Sequence, residues 1–455
     1  MPLTALERRQ ALRRLLRLLL LVNAIGIGVA VAIRLYSGET QLLNNLRLQL
    51  AAVLPRWIVL PLMGGLGGAV AGGLISSFEP EAKGSGIVQV MLWLEGVPMP
   101  MTWRLAIVKL LASGIAIGSG LPVGPEGPSI QIGAVVGRAS ADGLQAPPRE
   151  RRLAVAIGSG AGLAAIFHAP LGGLAYTLEE MFKGSTVRSN AVVAFATFAT
   201  ITWSRLLNGH AGGPLWLRQL LPVIEDPSNL TDFRLLDIPL LMLLGAIAGA
   251  LAMLYQRVIV RLRRGFFRLH LSLWQQLGLV GLVIGLASSL LNPSFDNPDR
   301  LGFSALLGLS TPLNALVVLV VQAAGTALAV AADAPGGFLA PALVVGASLG
   351  TLVQQVCLAL FHYAPPTLLF AGGGAFLGAL TRTPLTAILL TFELSKDYAL
   401  LLPIGFAVST AIAVADLFER DTIYDLMRDE SLRERRRREA ADAPAAHTDT
   451  DPNAG

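Results

Sequence analysis

Glu126 is the side chain on which chemistry would turn. It sits in Gly124-Pro125-Glu126-Gly127-Pro128, inside an apolar, glycine-rich tract where a carboxylate is costly and therefore points to function. The prolines and glycines suit the start of a helix whose backbone approaches its neighbours closely. Such a start presents unpaired N–H groups and the positive end of the helix dipole, which together suit an anion. A carboxylate there can fill the anion position itself and leave it on protonation, acting as gate and proton carrier at once. The competing structural role is an N-terminal acid that complements the dipole.

The same spacing recurs. Gly337-Phe338-Leu339-Ala340-Pro341, followed by Gly346 and Gly350, matches Gly124 to Pro128 followed by Gly133 and Gly137. A second matched pair comes about 42 residues beyond each proline: Pro170-Leu171 with Glu179 nine residues after the proline, and Pro384-Leu385 with Glu393 at the same nine. Two halves offset by about 213 residues share one plan. Transporters with such repeats place substrate where broken helices of the two repeats point their N-termini inward. Lys83-Gly84-Ser85-Gly86-Ile87 adds a hydroxyl that can donate to an anion, although Gly-Ser-Gly taken alone is most often a loop.

These residues need an apolar frame to position them. Hydrophobic residues make up 53% of the 455 and charged residues 14%, against about 25% charged in a soluble domain. That composition describes a polytopic, all-α membrane protein with on the order of 10–14 helical elements. The single cysteine, Cys357, excludes an internal disulfide, and the five scattered histidines (His168, His210, His270, His362, His447) form neither a metal set nor a nucleophile-base pair. No metal and no cofactor is expected. The net charge of +5 lies at the chain ends and in connections, so it argues for topology rather than nucleic acid.

Glu7 to Arg17 is basic, and the apolar run 18–33 reads as a retained first helix without a small-x-small cleavage site. Further apolar tracts fall near 51–76, 104–123, 153–178, 190–207, 236–260, 275–291, 313–332, 338–361, 366–392 and 399–417. Arg257, Arg261, Arg263, Arg264 and Arg268 make the connection 257–268 cytoplasmic by the positive-inside rule, while Glu225, Asp226, Asp232 and Asp237 place 208–237 outside. The expected division is a cytoplasmic segment 1–17, a transport domain 18–426 in two inverted repeats (about 18–210 and 236–420), and a charged, disordered cytoplasmic tail 427–455.

At these motifs the sequence resembles the CLC family of chloride channels and chloride/proton antiporters, over roughly residues 18–426. The family is marked by G-S-G-I-P, G-R-E-G-P and G-x-F-x-P, plus a late tyrosine. The matches are Gly84 to Ile87, Gly124 to Pro128, Gly337 to Pro341 and Tyr424. The resemblance implies that Glu126 is the gating and proton-transfer glutamate, and that Ser85 and Tyr424 supply the hydroxyls of a central anion site. Gly86, Gly127 and the N–H groups of Phe338 and Leu339 would complete that site. It also implies that Glu180 is the inner proton-transfer glutamate found in many antiporters, and that Lys109 is a buried lysine making the pore region positive. Glu179, Glu393 and Asp397 match no functional position and read as exposed helix-end acids.

Three residues depart from the motifs. Val88 and Leu339 are apolar exchanges that leave backbone donors in place, but Pro125 stands where the family has arginine and removes a cation together with an N–H. Fewer than 35 residues follow Tyr424, so the cytoplasmic CBS pair of eukaryotic members is not expected. The implied function is chloride/proton antiport by a homodimer in a bilayer, multi-pass, with both termini cytoplasmic. A passive, voltage- or pH-gated chloride channel of the same fold is the alternative, and Glu180 discriminates because a channel has no use for an inner proton acceptor. A non-transporting scaffold or an enzyme on the same fold is the third reading.

Overall fold

In the computed structural model the described residues are 5–182, 187–208, 233–291 and 311–442. Among them, seven helices are long and apolar enough to cross a membrane. The chain is a multi-pass membrane protein.

The first half runs α1 (Ala5–Val53), α2 (Arg56–Phe78), α3 (Ile87–Leu94), α4 (Trp103–Gly118), α5 (Glu126–Gly143), α6 (Pro148–Phe167), α7 (Pro170–Tyr176) and α8 (Val187–Asn208). The second half runs α9 (Ile238–Arg268), α10 (Leu273–Leu291), α11 (Pro312–Ala331), α12 (Leu339–Phe361), α13 (Leu368–Thr381), α14 (Pro384–Ser395), α15 (Leu401–Phe418) and α16 (Ile423–Asp442). Most of the acidic connection 208–237 lies outside the described residues.

Matched glycines set the closest approaches. A Cβ on Gly133 would strike the Gly158 carbonyl and one on Gly137 the Ala154 carbonyl, which binds α5 against α6. In the other half Gly346 meets the Gly372 carbonyl and Gly350 the Leu368 carbonyl, binding α12 against α13 in the same way. The apolar tracts 153–178 and 366–392 each break at a corresponding place. His168 (φ 54°) and Arg382 (φ 57°) adopt left-handed conformations, and Pro170 and Pro384 then open α7 and α14 at the position where a missing N–H costs nothing.

The two ends of the chain differ from expectation. α1 is a 49-residue helix rather than the run 18–33. Its polar middle stays helical because α4 accommodates it: Tyr36 is fully buried, and the Glu39 carboxylate packs so closely on Gly114 that a Cβ there would lie 2.6 Å from it. The expected disordered tail begins instead as a packed helix, with α16 extending to Asp442. Its charges find partners: Arg428 pairs with Glu95 at 3.2 Å, and Glu430 with Arg264 of α9 at 2.9 Å. Residues 443–455 lie outside the described residues.

Candidate anion and proton site

The two motifs meet directly. Gly124 N donates to Gly337 O at 2.6 Å and Gly337 N to Gly124 O at 2.7 Å, so the segments entering α5 and α12 are joined as an antiparallel bridge. Both helix N-termini therefore open onto one point. Ser85 arrives there too, since a Cβ on Gly127 would sit 2.5 Å from the Ser85 carbonyl oxygen and 2.9 Å from Gly337. Three separate stretches of sequence converge on Gly127 because only glycine leaves room.

Glu126 is fully buried at the first position of α5. Its Oε1 accepts a hydrogen bond from Leu339 N, the first residue of α12, at 2.7 Å, and its carboxylate crowds Gly124 and Gly337. Oε2 has no hydrogen-bond partner in the structure. A carboxyl group thus occupies the N-terminus of the opposite repeat's helix, where dipole and unpaired N–H groups favour an anion. Pro125 is the N-cap of α5, and its carbonyl accepts from Ser129 N at 3.1 Å and Ser129 Oγ at 2.7 Å. Five residues before Pro125, the Arg47 guanidinium of α1 lies so close to Gly120 that a Cβ there would collide with it.

The Ser85 loop is built to hold still. Gly84 (φ 65°) and Gly86 (φ 88°) are left-handed, and Gly84 N donates to Asp333 O at 2.9 Å. Lys109 is fully buried, and its Nζ donates to the carbonyls of Ala82 (2.9 Å) and Gly84 (2.6 Å). The lysine expected to colour the pore electrostatically is therefore also the clamp of the loop. Ser85 Oγ accepts from Ile87 N at 3.3 Å, which leaves its hydroxyl hydrogen to donate elsewhere. Gly86 faces the Gln131 side chain, 2.5 Å from where a Cβ would stand, so its role is the turn itself.

Tyr424 opens α16, fully buried, with its ring 4.8 Å from that of Phe338. Phe338 is the N-cap of α12, so the tyrosine is packed against the helix start that holds Glu126. Glu180 lies in the π-helical turn Thr177–Met181 that continues α7, and is 5% exposed. Ser85, Glu126, Gly127, Phe338, Leu339 and Tyr424 are brought together.

A family model described as the voltage gated chloride channel matches residues 67–416. The chain belongs to the CLC family. The H(+)/Cl(-) exchange transporter ClcA of Vibrio parahaemolyticus serotype O3:K6 is 30% identical over 399 residues, covering 85% of this chain and 83% of that protein. ClcA of Yersinia pestis is 32% identical over 366 residues, 77% of this chain and 73% of that one. Among solved structures, a slow cyanobacterial Cl−/H+ antiporter superposes with a TM-score of 0.81 at 27% identity, over 92% of this chain and 99% of that chain. A CLC-type fluoride/proton antiporter gives 0.71 at 19% identity, over 93% and 99%, and speaks for the fold alone.

Within this CLC chain two acids correct their expected role. Glu179 accepts from Leu385 N and Thr386 N, both at 2.8 Å, and from Thr386 Oγ1 at 2.7 Å. Glu393 accepts from Leu171 N at 3.0 Å and Gly172 N at 2.7 Å. Each carboxylate caps the proline-led helix of the other repeat, so neither is a solvated helix end. The shared nine-residue spacing was the signal, because a two-fold relation between the halves makes the two caps reciprocal.

Asp333 escaped sequence reasoning altogether. It pairs with Lys83 at 3.0 Å and Arg263 at 2.9 Å, and Arg263 reaches Glu430 at 3.6 Å. The network ties the Ser85 loop and the approach to α12 to the end of α9 and to α16.

Proposed function

We propose that this CLC protein is a chloride/proton antiporter. The observation that carries the proposal is the Glu126 carboxylate seated on the α12 N-terminus, hydrogen-bonded to Leu339 N at 2.7 Å. A carboxylate held by a backbone donor and a helix dipole stands where a transported anion would bind. Protonation removes its charge and most of what holds it, so the side chain leaves and an anion takes its place. Deprotonation reverses the exchange. Each proton taken up by Glu126 is thereby linked to anion entry, and Glu180 delivers or receives that proton on the inner side.

In this mechanism Ser85, Tyr424, Gly127 and the N–H groups of Phe338 and Leu339 hold the central chloride, with Gly86 shaping the loop. Lys109 fixes the Ser85 hydroxyl through the Ala82 and Gly84 carbonyls. Chloride and protons are the transported partners and the bilayer is the solvent. The transport domain is 18–426 with repeats at about 18–210 and 236–420. The unit is a homodimer, as in the family it resembles.

Both termini are placed on the cytoplasmic side. Ion pairs support this placement: Arg17 of α1 reaches Glu150 at the start of α6 at 2.9 Å, and Arg152 of the same turn donates to Leu94 O. The neighbouring Glu95 and Pro98 bind Arg428 and Arg435 of α16. The N-terminal part of α1 and the C-terminal helix thus gather at one face, joined through Glu430 to the arginine-rich end of α9.

The test is uphill transport. Liposomes holding the purified protein, given an outward chloride gradient at equal pH, should drive protons inward against the pH gradient that develops. Chloride efflux without proton uptake would leave a passive pathway instead.

A further inference from the structure

Between Glu180 and the central site stands a side chain to which no role has been assigned. Tyr176 is the last residue of α7 and lies four residues before Glu180, at the point where the helix widens into its π-helical turn. Four residues is close to one turn, so both side chains leave the same face. Tyr176 is fully buried, and its hydroxyl has no hydrogen-bond partner in the structure. The same is true of Tyr424 on the other side. The groups that act on the Tyr176 hydroxyl are the Tyr424 side chain, Glu180 and Glu126.

A buried phenol without a partner is unusual, because leaving such a group unpaired costs about 1–3 kcal/mol. A tyrosine that only packed would be replaced at no loss by phenylalanine. We propose that Tyr176 is the relay through which a proton passes between Glu180 and the central site.

The step balances without any charged phenol. The Glu180 carboxylic acid gives its proton to Tyr176 Oη as the phenol's own proton leaves toward Tyr424 and the Glu126 carboxylate. Glu180 ends as carboxylate, Glu126 as carboxylic acid, and Tyr176 neutral throughout. Rotation about the Cζ–Oη bond then resets the relay. The proposal rests on the antiport reading above, and it places the relay in a side chain of α7.

The experiment uses the full chain in liposomes with chloride and proton movement recorded together, for wild type, Tyr176→Phe and Tyr176→His. Phenylalanine removes one oxygen and orphans no partner, so chloride flux and thermal stability should hold. Proton flux should fall about 10²-fold, the lower end of what a positioned proton-transfer group contributes, raising the number of chlorides moved per proton. Histidine, which keeps a donor and an acceptor, should restore part of the proton flux. Tyr176→Phe with the wild-type ratio overturns the proposal, and so does an equal fall in both fluxes, which marks a packing role. Wild-type protein that moves chloride without protons refutes the antiport reading itself, a result distinct from either.

Discussion

Replacing Glu126 by glutamine tests the carboxylate's double duty. The change keeps the size and an acceptor oxygen for Leu339 N but removes the charge. A hydrogen bond to a charged group contributes roughly 1.5–3 kcal/mol, and one between neutral groups roughly 0.5–1.5 kcal/mol. The side chain of Glu126→Gln should therefore compete with an incoming anion less well by about 1–1.5 kcal/mol. At 1.4 kcal/mol per factor of ten, chloride should bind about five- to tenfold more tightly than to wild type at neutral pH. The advantage should shrink as pH falls, because protonated wild-type Glu126 has lost the same charge. Titration calorimetry of the detergent-solubilised protein measures the affinities. Flux from liposomes should become independent of pH and carry no protons. Unchanged chloride affinity, or proton pumping at the wild-type rate, would refute the idea that this carboxylate occupies the anion's place.

Four further outcomes are expected. Glu180→Gln should abolish proton movement while chloride flux persists in the paired recordings, and equal loss of both would point to folding. Ser85→Ala combined with Tyr424→Phe removes the two hydroxyl donors, so calorimetry should show weakened chloride binding and transport should lose tight coupling. Pro125→Arg restores a cation and an N–H at the turn. A donor to a charged group is worth roughly 1.5–3 kcal/mol, so anion density outside Glu126 should strengthen in crystals soaked with bromide, and an unchanged map would mean that another group already serves the outer position. Glu393→Ala strips the acceptor from two N–H groups at the start of α7 and should cost about 2 kcal/mol, lowering the thermal unfolding temperature. A loss well under 0.5 kcal/mol would show that the reciprocal caps are not structural.

Much of the site was legible because its requirements are local. Close backbone approach demands glycine, a helix start tolerates proline, and a carboxylate in lipid demands a reason, so Gly124 to Pro128 and Gly337 to Pro341 announce themselves. What joins them is not local: the Gly124–Gly337 bridge spans the two halves and could be inferred only as a repeat interface. Long-range partners hid the rest. Lys109 reads as a charge until the carbonyls of Ala82 and Gly84 appear beside it, and Glu179 and Glu393 read as surface acids until each is seen on the other repeat's helix. α1 outran its apolar run because Glu39 and Tyr36 are sheltered by α4. The charged segment after Tyr424 forms a helix because Glu95, Arg263 and Arg264 neutralise it. Tyr176 carries no signal in sequence, since a tyrosine in an apolar run is ordinary until its hydroxyl is found buried and unpartnered.

Coupled exchange is tested most directly by the zero-current voltage of the reconstituted wild-type protein under independently set chloride and pH gradients. An antiporter predicts a voltage displaced from the chloride equilibrium value, moving each time the pH gradient alone is changed. A voltage that stays at the chloride equilibrium value at every pH gradient would contradict the coupling of Glu126 protonation to anion exchange.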